Sequence, residues 1–153
     1  IKKKRIDGLL EKTTRVLELS PEHSKIQKLH EDLLQRASQV AEMLDQAEQQ
    51  FSQCEDQAVL TTLANWPQDL QRLARVEQLH NLATDRLARV QEFREAIAAE
   101  TESNAKLRLL DEYLQLRPGD EQAQQLRENL RQLKGAEKLR QKQAVQKRQK
   151  TKN

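Results

Sequence analysis

Val16-Leu17-Glu18-Leu19-Ser20-Pro21 and Tyr113-Leu114-Gln115-Leu116-Arg117-Pro118 have the same form and lie 97 residues apart. Each is an apolar helical run stopped by an X-Pro step. Proline disfavours helix in the residue before it and suits the first turn of the helix after it, so each stretch separates an incoming helix from an outgoing one. The residues beyond each proline also match at that offset. Ile26, Leu29 and Leu33 correspond to Ala123, Leu126 and Leu130, and Glu31 and Gln35 to Glu128 and Gln132. A weaker copy is centred on Pro67, with Val59, Leu60, Leu63 and Trp66 before it and Leu70, Leu73 and Val76 after it. The three prolines predict three units of short helix, X-Pro turn and long helix, with a period near 50 residues.

Long-range periodicity supports the helices. Ile26, Leu33, Val40 and Ala47 recur every seven residues, with Ala37, Leu44 and Phe51 as a companion row. Val76, Ala83, Val90 and Ile97 repeat the coiled-coil-like spacing, with Leu73 and Leu87 beside them. Long helices are expected at about 22–50 and 68–100, and a third from Asp120 to Gly135, with the stripe Ala123, Leu126, Leu130 and Leu133. Short helices are expected at about 5–19, 54–65 and 104–117. Ser103 or Asn104, His23 or Ser24, and Asp120 are the expected N-caps. The fold class is all-α: about six helices, alternating short and long, stacked as helical hairpins or an elongated bundle. Alternating β-branched and aromatic runs, which a sheet would need, are missing.

Composition agrees. Hydrophobic residues are 36%, aromatic residues 3% and charged residues 33% of 153, with three Gly and three Pro. That is thin for one compact core and suits helices that each bury one stripe. The net charge of +3 conceals an asymmetry. Of 27 basic residues, four lie in residues 1–5 and seven in 138–153, leaving 16 against 24 acidic residues and a net −8 over 6–137. The expected organisation is a helical domain over 1–137 and a basic, partly disordered tail over 138–153. In the tail, Lys147, Arg148, Lys150 and Lys152 are the candidate polyanion-binding residues. The tail carries no aromatic to stack bases and no apolar anchor for lipid.

The stretch Tyr113-Leu114-Gln115-Leu116-Arg117-Pro118-Gly119-Asp120 with Ala123 and Leu126 resembles the junction between tetratricopeptide repeats. There a helix ends in ALxLxP and the next begins xxxxAxxxL. Leu17, Leu19, Pro21 and Leu29 have the same pattern, with Ile26 at the Ala position. The resemblance covers some 35 residues in two places and departs from the family's period of about 34 residues. It implies a helical-hairpin array that binds proteins, as in the helical spacers of large multidomain, kinase-linked bacterial proteins. Separately, the internal repeat predicts that Leu19 and Leu116, which hold the same repeat position, are each buried between the short helix and the following long one, with Leu29 and Leu126 as their counterparts on the long helices.

No residue pattern points to catalysis. The histidines, His23, His30 and His80, include no pair at i, i+3 or i+4, and Cys54 is near none of them, so no metal site is expected. His30 and His80 border apolar stripes and read as packing or surface residues. Gly8, Gly119 and Gly135 stand alone, which rules out a glycine-rich phosphate loop. Asp111, Glu112 and Glu121 belong on solvated faces, where a carboxyl lacks the desolvation a general acid needs. Cys54 reads as a small apolar residue, and as the lone cysteine it suits a reducing, cytoplasmic compartment. Trp66, before Pro67, is expected to plug a helix junction, and it is also the candidate partner contact. No apolar run reaches membrane-spanning length, and an opening Ile reads as a segment of something longer. The expected role is a non-enzymatic protein-interaction or spacer module without cofactor, whose partner is another protein or another domain of the parent chain. Nucleic-acid association through the basic termini is the alternative.

Overall fold

The computed structural model describes residues 5–150, with side chains except those of 145 and 147–150. Six helices succeed one another: α1 (Ile6–Leu19), α2 (Ser24–Ser52), α3 (Asp56–Ala64), α4 (Ala74–Ala99), α5 (Ser103–Leu116) and α6 (Glu121–Lys150). No strand occurs among the described residues, so the protein is all-α. Neighbours in sequence pack together, α1 on α2, α2 on α3, and α5 on α6.

Helix-forming residues fill these segments because Leu, Ala, Glu, Gln, Lys and Arg lose little side-chain freedom in a helix. The seven-residue rows then decide which side is buried. Leu33, Val40 and Ala47 of α2 and Val76, Ala83 and Val90 of α4 are buried, as their spacing requires.

The chain forms two compact units, one through Leu87 and the other from Ala88 onward. The division falls inside α4, which contributes residues to the core of each unit. In the first unit Val40 and Ala47 of α2, Val59 and Leu63 of α3, and Val76, Leu79 and Ala83 of α4 enclose Trp66 and Leu70. In the second, Val90 of α4 packs with Tyr113 and Leu114 of α5, flanked by Phe93, Ile97, Leu116 and Ala123.

The two outer junctions share their backbone. α1 and α5 are both 14 residues long, and their ends coincide at the offset of 97. Ser20 has φ −144°, ψ 79° and Arg117 φ −134°, ψ 67°. The Ser20 amide donates to Val16 O (2.9 Å) and the Arg117 amide to Tyr113 O (3.0 Å). The His23 amide then donates to Ser20 O and the Asp120 amide to Arg117 O, both at 3.2 Å. Finally Gln27 Nε2 donates to Pro21 O and Gln124 Nε2 to Pro118 O, both at 2.5 Å. Each glutamine side chain therefore folds back one turn and holds the proline carbonyl that no helix amide reaches.

The middle junction departs from this pattern. Asn65 ends α3 at φ −81°, ψ 4°, and α4 begins at Ala74 rather than near Gln68. Between them the Leu70 amide donates to Pro67 O (3.1 Å), while Arg36 of α2 grips Asp69 through two bonds of 3.1 and 3.2 Å. Trp66 and Leu70 are thereby turned into the core, and their burial outweighs the turns of helix forgone. The position six residues after Pro67 is Leu73, which cannot make the glutamine's bond.

Other expectations also shift. Leu19 is 88% exposed, against the burial expected of it, and Leu29 and Leu126 are exposed too. Leu116 alone of the four is partly buried, against the core of the second unit. α6 passes through Gly135 and is helical to Lys150, and the last residues of the expected basic tail, 151–153, lie outside the described residues. One helical glycine costs about 1 kcal/mol, which the surrounding Leu, Lys, Gln and Glu can offset. Leu133 and Leu139 are nonetheless exposed, and of the expected α6 stripe only Ala123 and Leu130 are half-buried. Among the caps, Asp120 Oδ1 accepts from the Ala123 amide at 3.0 Å, as expected. The cap of α5 is Glu102 rather than Ser103 or Asn104; its carboxylate accepts from the Asn104 (3.0 Å) and Ala105 (2.5 Å) amides. Those amides hold Glu102 below its ordinary pKa. His23 and Ser24 make no side-chain cap on α2.

Candidate functional site

The first candidate lies in the first unit, where Leu9, Thr13 and Val16 of α1 and Ile26, Leu29 and Leu33 of α2 come together with Leu70. They line an open groove of about 340 Å³, with Lys12, Arg36 and Asp69 among its polar residues. Val16 is 39% exposed, and the exposed Leu29 and Leu19 extend the apolar surface. Under it, Thr13 and His30 join the two helices. Thr13 Oγ1 is 2.9 Å from Leu10 O and 2.8 Å from His30 Nδ1. A hydroxyl has one proton; when Thr13 gives it to Leu10, His30 Nδ1–H donates to Thr13. His30 is thus a tie between helices.

The second candidate centres on Arg86 of α4. Asp56, the first residue of α3, is fully buried, and Arg86 Nε donates to its Oδ1 at 2.6 Å. Arg86 Nη2 donates to Phe51 O at 2.7 Å, and the guanidinium lies 3.9 Å above the Phe51 ring centroid. Nη1 is 3.7 Å from Cys54 Sγ. Cys54 occupies φ 60°, a left-handed conformation that glycine usually supplies. The Cys54 amide donates to Phe51 O (3.1 Å) and the Glu55 amide to Gln50 O (2.9 Å), which completes a Schellman turn at the end of α2. Arg86 thus clasps the end of α2, the turn and the start of α3. It answers the charge of Asp56 and shares with the Cys54 amide the Phe51 carbonyl at the helix end.

In the second unit an analogous clasp closes the α5–α6 junction. The Tyr113 hydroxyl donates to Asp120 Oδ2 at 2.5 Å, and Arg94 Nε donates to the Tyr113 oxygen at 3.2 Å. Arg94 also approaches Asp120 at 3.7 Å. The Tyr113 hydrogen bond holds the Asp120 carboxyl below its ordinary value, with the Ala123 amide acting the same way against the effect of burial. Burial pushes the Tyr113 phenol up, and its bond to Asp120 adds to this. The arrangement has the parts of a proton relay, but every group serves a helix end.

Trp66, the candidate partner contact, is 5% exposed in the core of the first unit. Its indole N–H meets no acceptor among the described residues. It lines a cavity of about 480 Å³ with Ile6, Val40, Leu44 and Leu70. Of the candidate polyanion-binding residues, Lys147, Arg148 and Lys150 sit in the last turns of α6, with side chains outside the described residues; Lys152 is outside them altogether. Lys138, Arg140 and Lys142 are exposed along α6. No group of three or more His, Cys, Asp and Glu residues that could hold a metal ion occurs among the described residues. None of the described helices is long and apolar enough to cross a membrane.

Sequence reasoning missed both arginine clasps and the glutamine locks. An arginine partnered 30 residues away leaves no local signal, whereas Gln27 and Gln124 share the offset of 97 and could have been found by extending the comparison past the apolar positions. No family model, no curated protein and no solved structure matches the chain.

Proposed function

We propose that this chain is a non-enzymatic helical module that engages or spaces other proteins, or other parts of its parent chain, in the cytoplasm. The observation that carries the reading is the groove of α1 and α2, with Val16, Leu19 and Leu29 exposed at or beside it. Single exposed leucines are ordinary, but apolar residues grouped around a concavity are the usual mark of a binding surface. The partial tetratricopeptide-like pattern at the two outer junctions, and their matching backbone, support a repeat-based interaction module. The test is a photo-crosslinking residue at position 19, introduced in the cells that make the protein. A discrete protein adduct from position 19, absent from exposed position 128 on α6, is expected. No adduct, or the same adducts from both positions, refutes the reading.

A second reading, association with nucleic acid, is favoured by the exposed Lys138, Arg140 and Lys142 on α6. The net −8 of residues 6–137 opposes it, since a nucleic-acid-binding face should be basic. Its sign would be duplex binding that falls steeply with salt and disappears when residues 138–153 are removed.

A further inference from the structure

The two matching junctions differ in what lies over them. On α5, Tyr113 is 2% exposed, because Val90, Phe93 and Ile97 of α4 pack with Tyr113, Leu114, Leu116 and Ala123. Subtracting 97 from positions 113, 116 and 123 gives Val16, Leu19 and Ile26. Val16 and Ile26 line the open groove of the first unit, and Leu19 stands beside it almost wholly in solvent. The helix ends, the proline turn and the glutamine lock are alike at the two places. One copy of the surface has a helix on it; the other is an open groove bordered by Asp69 and Leu70, with no helix over it.

Resting on the module reading above, we propose that α1 and the start of α2 dock an amphipathic helix carrying large apolar side chains at i, i+3 and i+7. That is the spacing of Val90, Phe93 and Ile97, the residues that cover the matching surface within this chain. Three such positions form one stripe along two turns of helix, and helix-in-groove recognition uses this kind of anchor. Polar detail should differ between the two places. Arg94 of α4 meets Tyr113 and Asp120, whereas the corresponding residues of the first unit are Val16 and His23. A docked helix therefore finds His23 where Asp120 stands, and the carboxylate that does line the groove, Asp69, is already held by Arg36, so recognition rests on the apolar stripe.

The probe is a fluorescently labelled peptide of residues 86–100, titrated with the whole chain and monitored by anisotropy. The chain's own α4 does not yield its place on α5 to the peptide, since a connection of three residues, 100–102, keeps it at an effective concentration on the order of millimolar or above. Saturable binding is expected, with a Kd on the order of 100 μM because a free peptide must order itself on binding. Leu19→Lys in the chain and Phe93→Ala in the peptide should each weaken it at least tenfold. Leu19 is already exposed, so the variant keeps its fold, which unchanged Trp66 emission and circular dichroism verify. A titration flat to 1 mM, or one that Leu19→Lys leaves unaltered, overturns the proposal. A dimer seen by light scattering and abolished by Leu19→Lys, with no peptide binding, makes a second copy the occupant and also overturns it. A crosslinked protein at position 19 combined with a flat peptide titration sinks the helix proposal alone; loss of both signals sinks the module reading with it.

Discussion

Removing Arg86 should destabilise the first unit far more than removing any other partly exposed arginine. Asp56 is fully buried and the side chain of Arg86 is 17% exposed, so the pair has little water to fall back on. In Arg86→Met the stem is kept while the guanidinium is lost. Stranding a buried carboxylate costs about 3–5 kcal/mol. The lost bond to Phe51 O adds about 1 kcal/mol, and the lost contact with the Phe51 ring a similar or smaller amount. The start of α3 offsets part of this, because Asp56 sits at a helix N-terminus and is favoured there by up to about 1 kcal/mol. A net loss of about 3–5 kcal/mol is expected. Asp56→Leu alone should cost less, about 2 kcal/mol, because the arginine keeps Phe51 and a path to solvent. The double variant should lie within about 2 kcal/mol of the parent, since a buried pair replaced by apolar groups is often nearly neutral. The assay is urea unfolding monitored by the emission of Trp66, the chain's single tryptophan, which lies in the same core. A loss below about 1 kcal/mol in Arg86→Met at unchanged m, or strictly additive single effects, would show that Arg86 does not hold Asp56 as described.

Titration of the single tyrosine by its absorbance near 295 nm should place Tyr113 above its reference value of 10.0 in the folded chain and return it there in urea. A raised phenol gives stability that is complete below pH 10 and lost as pH climbs through the folded value. The lowered Asp120 gives stability present above about pH 3.8 and lost as pH falls through its folded value. The protection of α5 amides, measured against their intrinsic exchange rate at each pH, should therefore fall at both extremes, and Asp120→Asn should remove the acid limb and shrink the alkaline one, because the bond to Asp120 contributes to the raised Tyr113. At position 54, with φ 60°, Cys54→Val should lower stability by more than about 1 kcal/mol while Cys54→Gly should not, as urea titrations can compare. Leu19→Ala should cost under about 0.5 kcal/mol in the same titrations, against about 2–5 kcal/mol for the buried Leu63→Ala.

The fold was legible where the signal was local or periodic. The rows through Leu33, Val40 and Ala47 and through Val76, Ala83 and Val90 depend only on helix geometry and named the buried side directly. The ends of α1 and α5 came from proline, whose effect is confined to adjacent residues. α4 starts later than the pattern predicts because Trp66 and Leu70 are drawn into a core whose other members lie elsewhere in the chain, with the exposed Arg36–Asp69 pair only adding to it. Leu19 was misjudged for a related reason. An apolar residue at a repeat position reveals that the surface can be covered, while whether a covering helix is present depends on a different part of the chain. The candidate groove was visible as residues but not as an opening. The clasps of Arg86 and Arg94 were invisible, since an arginine on an amphipathic helix has the same sequence context whether it faces water or a buried carboxylate.

The glutamine locks have a use beyond the positions they hold. What the two turns share is the proline, main-chain atoms and one side-chain amide, so Ser20 can stand where Arg117 does, and His23 where Asp120 adds its own cap and clasp. Most letters of such a turn are free to drift without changing its shape. What remains recognisable is a proline with a glutamine six places on, a two-letter spelling too sparse for overall similarity to detect. It separates Pro21 and Pro118 from Pro67, which has Leu73 at that distance. Written as a rule, that spelling predicts from any helical chain which of its prolines turn this particular corner.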